Sequence, residues 1–359
     1  MRLLASVAAL VLLATTLLGC SDDEGVTVGA SRSPSPTPTP SVPTKPSLQR
    51  YVSPTGKDSN PGTLDKPWRT LAWALHKIYF GQVLFVRGGT YHEHINRLRI
   101  HPGTATAPIT VLAYPGENPV LEGSVSLNRP VYWVIDNLDV TGDPSSRNHP
   151  SFMVKMLGGR SWTWQNSEFT DTRGQANVMI TGWGVDEPAG FTFTGNCLHG
   201  LPSQPMGSSN LFLGAMRSGA HGIVSRNVVF NHDNQPNVQI GSGAGAPNDV
   251  KVLHNTIYGG SLGIDVRGRQ HQLKINQNIV GGSNAPAMIR FYRGKPRGTS
   301  VTNNVAVNAT QLLRPEARNN VHAYGNLVLT GDPEFVNTNR CGGFRSDLDA
   351  MIPYGALTP

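Results

Sequence analysis

Short stretches of alternating apolar and polar residues recur along this chain at intervals of 22 to 31 residues. In each repeat an apolar alternation leads to an asparagine, and a second short strand-like stretch follows it. One coil built from three strands of about 3–6 residues with short connections needs this many residues. The repeat therefore predicts an all-β parallel solenoid, in which each coil buries its apolar face by stacking on its neighbours. The aligned asparagines are Asn137, Asn166, Asn196, Asn227, Asn255, Asn278, Asn304 and Asn326.

Asparagine suits the recurring position because its side chain can hydrogen-bond to the same side chain one coil away. Stacked amides donate and accept, so they satisfy polar groups that burial would otherwise leave unpaired. Asparagine also tolerates the left-handed dihedrals that a sharp turn between strands requires. We therefore expect an interior ladder of asparagines that both stacks and turns the chain, with Asn255 and Asn278 among its members.

One further strand per repeat is predicted to form the sheet that carries the functional residues. Because strand side chains alternate between faces, one set points inward and the other outward. The predicted strands are Phe152–Met156, Asn177–Thr181, Asn210–Gly214, Asn237–Gly241, Gly263–Arg267, Met288–Tyr292 and a poorer Leu312–Arg314. The inward positions are Val178, Ile180, Leu211, Leu213, Val238, Ile240, Ile264, Val266, Ile289 and Phe291. The middle outward positions, called the outer column below, are Lys155, Met179, Phe212, Gln239, Asp265 and Arg290.

The end of the outer column is polar. Adjacent coils lie about 4.8 Å apart, so Gln239, Asp265 and Arg290 are predicted to form one patch, with Arg267 and Tyr292 beside it. The alternative interpretation is a surface ion pair between Asp265 and Arg290, worth at most about 1 kcal/mol.

The N-terminal segment, residues 1–19, has the pattern of a targeting sequence. Arg2 precedes an apolar run that is too short and poorly flanked for a stable membrane-spanning helix. The run ends in Leu17-Leu18-Gly19-Cys20, which resembles the lipobox of bacterial lipoproteins. The resemblance implies cleavage before Cys20 and attachment of lipid to it, which would place the protein outside the cytoplasm and anchor it to the membrane.

Residues 20–47 are predicted to be a tether, because Pro alternates there with small hydroxyl residues and no apolar periodicity is visible. The folded domain is predicted to span 48–359. Cys197 and Cys341 are the cysteines of that domain. Export would permit a disulfide between them, but we expect two unrelated buried thiols.

The basic surplus either serves solubility or indicates an acidic partner. Lys and Arg number 30 against 23 Asp and Glu, which gives a formal net charge of +7. This surplus favours a uronic-acid polysaccharide or another polyanion. The basic residues are scattered and form no run, which argues against a nucleic-acid binder. We expect a monomer.

Several short motifs lie outside the repeat. They are Tyr51-Val52-Ser53-Pro54, Asp58-Ser59-Asn60-Pro61-Gly62-Thr63, Pro67-Trp68, Val86-Arg87-Gly88-Gly89-Thr90-Tyr91, Ala107-Pro108-Ile109-Thr110-Val111-Leu112-Ala113-Tyr114-Pro115-Gly116 and Gly331-Asp332-Pro333-Glu334-Phe335. Together they resemble the pectate-lyase-like right-handed parallel β-helix superfamily. The resemblance implies a right-handed β-helix with three-sheet coils. Between these motifs, residues 69–80 carry Leu71, Leu75 and Ile78 at helical spacing, which predicts an amphipathic helix that caps the first coil.

The resemblance also suggests chemistry, because lyases of this superfamily cleave uronate chains by β-elimination. Such a site needs a cation to neutralise the carboxylate, a base for the C5 proton and an acid for the leaving oxygen. Arg267 or Arg290, with Gln239 beside them, could bind the carboxylate. His232 or Lys155 could be the base. Tyr292 or Asp265 could be the acid or could hold a divalent cation such as calcium; the sequence does not establish a metal requirement.

Two other functions remain open, since one fold hosts many activities. A non-catalytic carbohydrate- or surface-binding β-helix protein would need no complete catalytic set. An inverting glycoside hydrolase would need two or three carboxylates converging on the same sheet. Weaker candidates are a metal site at His92 and His94 and a sugar platform at Trp162 and Trp164, although we expect these tryptophans to lie in the core.

Overall fold

The computed structural model describes most of the predicted folded domain. The described residues are 48–142, 151–170, 174–182, 189–200, 209–216, 220–230, 235–242, 245–282, 285–292, 296–314, 321–331, 333, 335, 341–344 and 354–356. The predicted targeting segment, the tether and His232 lie outside these residues. Within the described residues, no helix combines the length and apolar character needed to cross a membrane.

The described chain is built almost wholly of short strands. In chain order the elements are β1 (Gln49–Val52), α1 (Leu71–Lys77), β2 (Val83–Val86), β3 (Gly89–Leu98), β4 (Ile109–Ala113), β5 (Pro119–Asn128), β6 (Trp133–Asp136), β7 (Asp139–Thr141), β8 (Phe152–Leu157), β9 (Thr163–Gln165), β10 (Glu168–Thr170), β11 (Ala176–Thr181), β12 (Thr192–Thr194), β13 (Cys197–His199), β14 (Ser209–Leu213), β15 (Gly222–Ser225), β16 (Val228–Phe230), β17 (Pro236–Ile240), β18 (Val250–Leu253), β19 (Thr256–Tyr258), β20 (Leu262–Arg267), β21 (Lys274–Asn276), β22 (Ile279–Gly281), β23 (Ile289–Tyr292), β24 (Ser300–Thr302), β25 (Val305–Val307), β26 (His322–Tyr324), β27 (Leu327–Leu329) and a 3₁₀ turn (Cys341–Gly343).

In the coils from β6 to β23, each coil contributes one strand to each of three faces, and the strands of a face pair in parallel. Face 1 runs β1-β2-β4-β6-β9-β12-β15-β18-β21-β24-β26. Face 2 runs β7-β10-β13-β16-β19-β22-β25-β27, and face 3 runs β8-β11-β14-β17-β20-β23. The long strand β5 joins faces 2 and 3, because its first half pairs with β7 and its second half with β8. This architecture confirms the predicted all-β parallel solenoid.

Face 3 has the register that the sequence predicted. The inward residues of β11, for example Val178 and Ile180, are fully buried, as are Ile264 and Val266 on β20. The observed strand bounds differ from the predicted ones by one residue at most at either end. Leu313, in the poorer segment, makes a single parallel bridge to Ile289.

Large aromatic side chains fill the middle of the core. Trp162 and Trp164 are buried, and Trp162 stacks on Phe191 with ring centroids 5.1 Å apart. Their rings are therefore not available to sugars, and the core interpretation is confirmed for both tryptophans.

An uninterrupted ladder of asparagines runs along the corner between faces 1 and 2, and all of its members are buried except the last, Asn326, which is half-buried. In each step the Oδ1 of one asparagine accepts from the backbone N and the side-chain Nδ2 of the preceding one, at 2.9–3.2 Å. The same Nδ2 also donates to a backbone carbonyl, such as Val224 O for Asn255. The ladder members are Asn196, Asn227, Asn255, Asn278, Asn304 and Asn326. The buried placement of Asn255 and Asn278 is confirmed.

The sequence alignment of this ladder was wrong by one residue at its N-terminal end. Asn137 and Asn166 are exposed and have φ near 54°, whereas the ladder positions there are Leu138 and Ser167. The left-handed turn belongs to the residue before each ladder member. That position is held by Asn137, Asn166, Gly195, Arg226, His254, Gln277, Asn303 and Gly325, all with positive φ. Two adjacent residues therefore share the work that the sequence assigned to one asparagine. The first adopts the left-handed turn of the backbone, and the second stacks in the ladder.

A second, shorter ladder lies at the corner between faces 2 and 3. Asn177 Nδ2 donates to Asn210 Oδ1 at 2.8 Å, and Asn210 Nδ2 donates to Asn237 Oδ1 at 2.9 Å. Each amide also donates to a carbonyl at or just after the end of a face 2 strand. Three of the predicted face 3 strands began at these asparagines, but the sequence did not predict the ladder that joins them.

Helix α1 is shorter than predicted, from Leu71 to Lys77. Thr70 caps its N-terminus, since Thr70 Oγ1 accepts from Trp73 N, and the carboxylate of Glu93 accepts from the first two helical N–H groups. These acceptors satisfy the unpaired donors of the first turn. Ile78 is extended, and this ends the helix. The helix packs on β3 and β1; its function as an N-terminal cap stays a prediction.

We predict that Asn255→Leu and Asn278→Leu each lower the free energy of unfolding by about 1–3 kcal/mol, because neighbouring buried donors and acceptors lose their partners. Thermal or urea unfolding measures this. Asn128→Leu, at an exposed position of β5, is the matched control and should change little. Unshifted unfolding of both ladder variants would contradict the role of the ladder.

Candidate functional site

The outer column of face 3 is assembled as the sequence predicted. Cross-strand register places Lys155, Met179, Phe212, Gln239, Asp265 and Arg290 next to one another in that order. Arg267 lies directly opposite Tyr292 on the neighbouring strand. The fold therefore brings together five of the predicted site residues: Gln239, Asp265, Arg267, Arg290 and Tyr292.

Asp265 is the centre of this patch. Its side chain has no exposed surface, and both carboxylate oxygens accept hydrogen bonds from arginines. The guanidinium of Arg290 forms a bidentate contact with this carboxylate: Nε donates to Oδ1 at 2.8 Å and Nη2 donates to Oδ2 at 2.7 Å. Arg267 Nε donates to Oδ2 at 2.6 Å. Two cations on one carboxylate leave the cluster with one net positive charge.

This geometry corrects the catalytic role that the sequence suggested for Asp265. A carboxylate without exposed surface does not reach a substrate, and its oxygens are already bound to arginines. It therefore does not fit the role of general acid or of calcium ligand. The structure instead makes Asp265 a positioning residue that fixes the direction of both guanidinium groups. The predicted ion pair between Asp265 and Arg290 is present, but its carboxylate is fully buried and only the arginine is partly exposed.

The two arginines remain accessible. About a third of each side chain is exposed, 33% for Arg267 and 35% for Arg290. The hydrogen bonds that Arg290 donates to the Asp265 carboxylate raise the pKa of Arg290, so this guanidinium stays charged. Arg290 also lies over the ring of Tyr292, 5.6 Å from its centroid. Tyr292 is 44% exposed.

Gln239 forms the edge of the patch toward the N-terminal coils. It is mostly buried, and its Nε2 donates to Gly241 O at 3.1 Å. Only a small part of this side chain can contact a ligand, so its contribution to binding is limited to the border of the arginine cluster.

Lys155 does not join the patch. It is four coils from Asp265 in the outer column, which corresponds to roughly 19 Å. Its ammonium lies 5.8 Å from the ring centroid of Phe152. Lys155 is therefore too far away to be the base for the same sugar that the arginines bind. The prediction that combined Lys155 as the base with the arginines as carboxylate ligands is corrected. His232, the other candidate base, lies outside the described residues.

The two cysteines are joined, contrary to the sequence prediction. Cys197 and Cys341 form a disulfide with Cα atoms 5.7 Å apart. The bond links residues 144 positions apart. A cross-link of this kind stabilises a fold by typically about 2–4 kcal/mol, mainly by restricting the unfolded chain. The sequence offered no signal for the pairing, because only the coil path brings the two positions together.

Beside the disulfide are two titratable residues that sequence analysis missed. His199 Nε2 lies 2.7 Å from Glu168 Oε1, and this hydrogen bond lowers the pKa of Glu168 despite its partial desolvation. Within the described part of the chain, one group of three or more potential metal ligands converges. It consists of Glu168, Cys197, His199 and Cys341. His92 and His94, the weaker metal candidates, instead contact Glu122 and Ser124 separately.

A cavity of about 850 Å³ near the N-terminal end was also missed. The charged residues that line it are Lys57, Asp65, Lys66, Arg87 and Glu117. Arg87 Nη2 and Glu117 Oε1 are 2.7 Å apart, and this contact lowers the pKa of Glu117. The sequence treated Arg87 only as part of a turn motif.

Comparison with known proteins supports the handedness and the coarse family of the fold. Residues 50–201 match the family described as Pel9A-like, right handed beta helix region. Pectate lyase PEL9 of Emericella nidulans is 38% identical over 73 residues, which are 20% of this chain and 18% of the lyase. The matched segments span less than a fifth of the length of the curated relatives.

Solved structures extend the similarity of fold to most of the chain. An alginate lyase from Paenibacillus sp. str. FPU-7 has a TM-score of 0.50 at 15% identity, covering 73% of this chain and 96% of that one. A glycoside hydrolase has a TM-score of 0.51 at 9% identity, covering 84% of this chain and 99% of that one. At these identities the likeness concerns the fold, which both lyases and hydrolases use.

We predict that Asp265→Asn lowers the free energy of unfolding by about 1.5–3 kcal/mol, the range for hydrogen bonds to charged groups. The amide lacks the charge and one of the acceptors that hold the arginines. Chemical denaturation measures the effect. Asp65→Asn removes the same charge at an exposed position and serves as the control. Equal stability of both variants and the parent would show that the buried carboxylate does not organise the patch.

Proposed function

We propose that this chain acts on an acidic polysaccharide and that it cleaves a uronate-containing glycan by β-elimination. The observation that carries the proposal is the arginine pair on the outer surface of face 3. Arg267 and Arg290 share the buried Asp265, retain one net positive charge and expose about a third of their side chains. A fixed, partly desolvated pair of guanidinium groups is well suited to a sugar carboxylate.

Charge and similarity point in the same direction. The chain carries a formal net charge of +7, which favours encounter with a polyanion. A matched relative is named a pectate lyase, and this name makes β-elimination the favoured chemistry here.

In the proposed reaction the arginines bind the carboxylate of the uronate at the cleavage point. Their charge stabilises the negative charge that builds up on the carboxylate as the C5 proton leaves. The electrons of the C5–H bond form the C4–C5 double bond, and the C4–O bond to the neighbouring sugar breaks. Tyr292 lies beside the arginines and is the proposed donor of a proton to the leaving oxygen. His232 is proposed as the base.

A non-catalytic carbohydrate-binding protein is the second candidate. It is favoured by the distance of about 19 Å between Lys155 and the arginine pair, which leaves the described residues of face 3 without a base beside the patch. An inverting hydrolase is the third candidate. Within the described outer column, Asp265 is the one carboxylate, and it is buried, so that mechanism has less support.

The proposed location is outside the cytoplasm, with lipid on Cys20 and residues 20–47 as a spacer to the membrane. An anchored enzyme of this kind would act on polymers at the cell surface. This part of the proposal rests on the resemblance of Leu17-Leu18-Gly19-Cys20 to a lipobox.

We predict that Arg267→Ala and Arg290→Ala each weaken binding of a responsive acidic polysaccharide about tenfold or more. A charge-assisted hydrogen bond is worth roughly 1.5–3 kcal/mol, and about 1.4 kcal/mol corresponds to a factor of ten. Calorimetry against a panel of uronate polymers measures binding. Ultraviolet absorbance and mass spectrometry of the products detect the unsaturated uronate that elimination creates.

Arg160→Ala is the matched control. This arginine is exposed and lies just before β9, a strand of face 1, away from the patch on face 3. Thermal unfolding of all three variants separates lost binding from lost folding. Equal affinity of the three variants would reject the patch as the binding site. Binding without unsaturated product would favour the non-catalytic candidate.

We predict that the protein expressed in a bacterium from its full sequence partitions into the detergent phase, and that Cys20→Ser moves it to the aqueous phase. The reason is loss of the residue that would carry lipid. Phase partitioning followed by immunoblotting measures the distribution. The anchor assignment fails if the parent and the variant both stay in the aqueous phase.

A further inference from the structure

Three potential metal ligands are presented by neighbouring strands of face 2. Glu168 on β10 lies directly opposite Cys197 on β13, and His199 follows two residues after Cys197 on the same strand. Residues two apart on a strand share a face, so Cys197 and His199 project on the same side. His199 Nε2 already lies 2.7 Å from Glu168 Oε1.

The fourth ligand comes from the C-terminal part of the chain. Cys341 begins the 3₁₀ turn Cys341–Gly343, and its Sγ is bonded to that of Cys197. The same Sγ is 3.5 Å from Glu168 Oε1. One ligand atom from each of the four residues lies within 4.8 Å of all the others. Two sulfurs, one imidazole nitrogen and one carboxylate oxygen thus converge from three separate segments.

This set fits zinc once the disulfide is open. Zinc in structural sites takes four ligands in a tetrahedron, at about 2.3 Å from sulfur and about 2.0–2.2 Å from nitrogen or oxygen. Those bond lengths place neighbouring ligand atoms about 3.3–3.8 Å apart. The observed separation of 3.5 Å between Cys341 Sγ and Glu168 Oε1 already has this value. The main movement required is the separation of the two sulfurs.

An aromatic shell supports the cluster. The His199 ring stacks on the Phe230 ring with centroids 4.9 Å apart. The Phe344 ring also packs against Phe230, with centroids 4.8 Å apart. Phe230 and Phe344 are buried. Such a shell restricts the His199 side chain, while Glu168 stays partly exposed and leaves the cluster open to an incoming ion.

We propose that the reduced form of this protein binds one zinc ion through Cys197, Cys341, His199 and Glu168. A dithiol reductant donates two electrons and two protons to the Cys197–Cys341 bond, which gives two thiols and the oxidised, disulfide form of the reductant. Zinc then replaces the two thiol protons, and the His199 Nε2 proton passes to solvent or to the other ring nitrogen. The disulfide and the zinc ion are alternative links between residues 341–344 and face 2.

Cobalt(II) titration of the full chain tests this proposal, because tetrahedral cobalt bound to thiolates has strong visible bands and a sulfur-to-metal charge-transfer band. After treatment with a phosphine reductant, the protein should bind one cobalt ion per chain with both features. Zinc should displace the cobalt and bleach the spectrum. The oxidised protein, which needs no substitution and keeps its fold, should show no charge-transfer band.

Variants identify the ligands. His199→Gln and Glu168→Gln should each weaken cobalt binding about tenfold or more, since even loss of a residue that merely supports a ligand costs about 10–100-fold. Cys341→Ser should remove the charge-transfer band or halve its intensity. His94→Gln, which alters an exposed histidine on β3, should change nothing. Circular dichroism of each variant checks that the fold is retained.

The proposal is overturned if the reduced protein binds cobalt no better than the oxidised protein, or binds it without the sulfur band. It is also overturned if His199→Gln and Glu168→Gln both bind as the parent does. Neither outcome depends on polysaccharide activity.

Discussion

The hydrogen bond from one buried asparagine to the next is the interaction on which the rest of this structure depends. Each amide accepts from the backbone and side chain of its neighbour and donates to a strand carbonyl, so the side chain of each ladder asparagine has partners for both its acceptor and its donor. A single such bond contributes only about 0.5–1.5 kcal/mol, but leaving one buried partner unpaired costs about 1–3 kcal/mol. A shift of one coil against the next would break the whole series. The ladder therefore selects one register as well as stabilising it.

That register is what creates the candidate site. Asp265 and Arg290 are 25 residues apart in sequence, and they meet because β20 and β23 pair without a slip. A shift by one residue would turn Arg290 inward and bring an apolar side chain to the surface. The second ladder, through Asn177, Asn210 and Asn237, fixes the beginnings of three face 3 strands in the same way. The position of the binding residues on the outer surface thus depends on polar contacts inside the coil. Within the patch, the buried Asp265 orients Arg267 and Arg290.

Sequence patterns predicted the parallel coil and the outer column because both follow from local rules, the spacing of asparagines and the alternation of strand side chains. The first two ladder positions were misplaced because asparagine suits both the stacking position and the left-handed position before it, as Asn303-Asn304 shows within one coil. The burial of Asp265 was not predictable from alternation, since two long arginine side chains cover an outward-facing carboxylate. The Cys197–Cys341 bond and the contact of Glu168 with His199 depend on the path of the chain between coils, which local patterns do not contain.

The central claim of this account is that the stacked coils hold Arg267 and Arg290 in place to receive the carboxylate of an acidic sugar. A crystal structure of the protein with a bound uronate oligosaccharide tests it most directly. The account predicts that one sugar carboxylate lies within hydrogen-bond distance, about 2.7–3.0 Å, of both guanidinium groups while Asp265 keeps its contacts with them. An oligosaccharide bound elsewhere, for example in the cavity beside Arg87 and Glu117, with the arginine pair unoccupied, would contradict it.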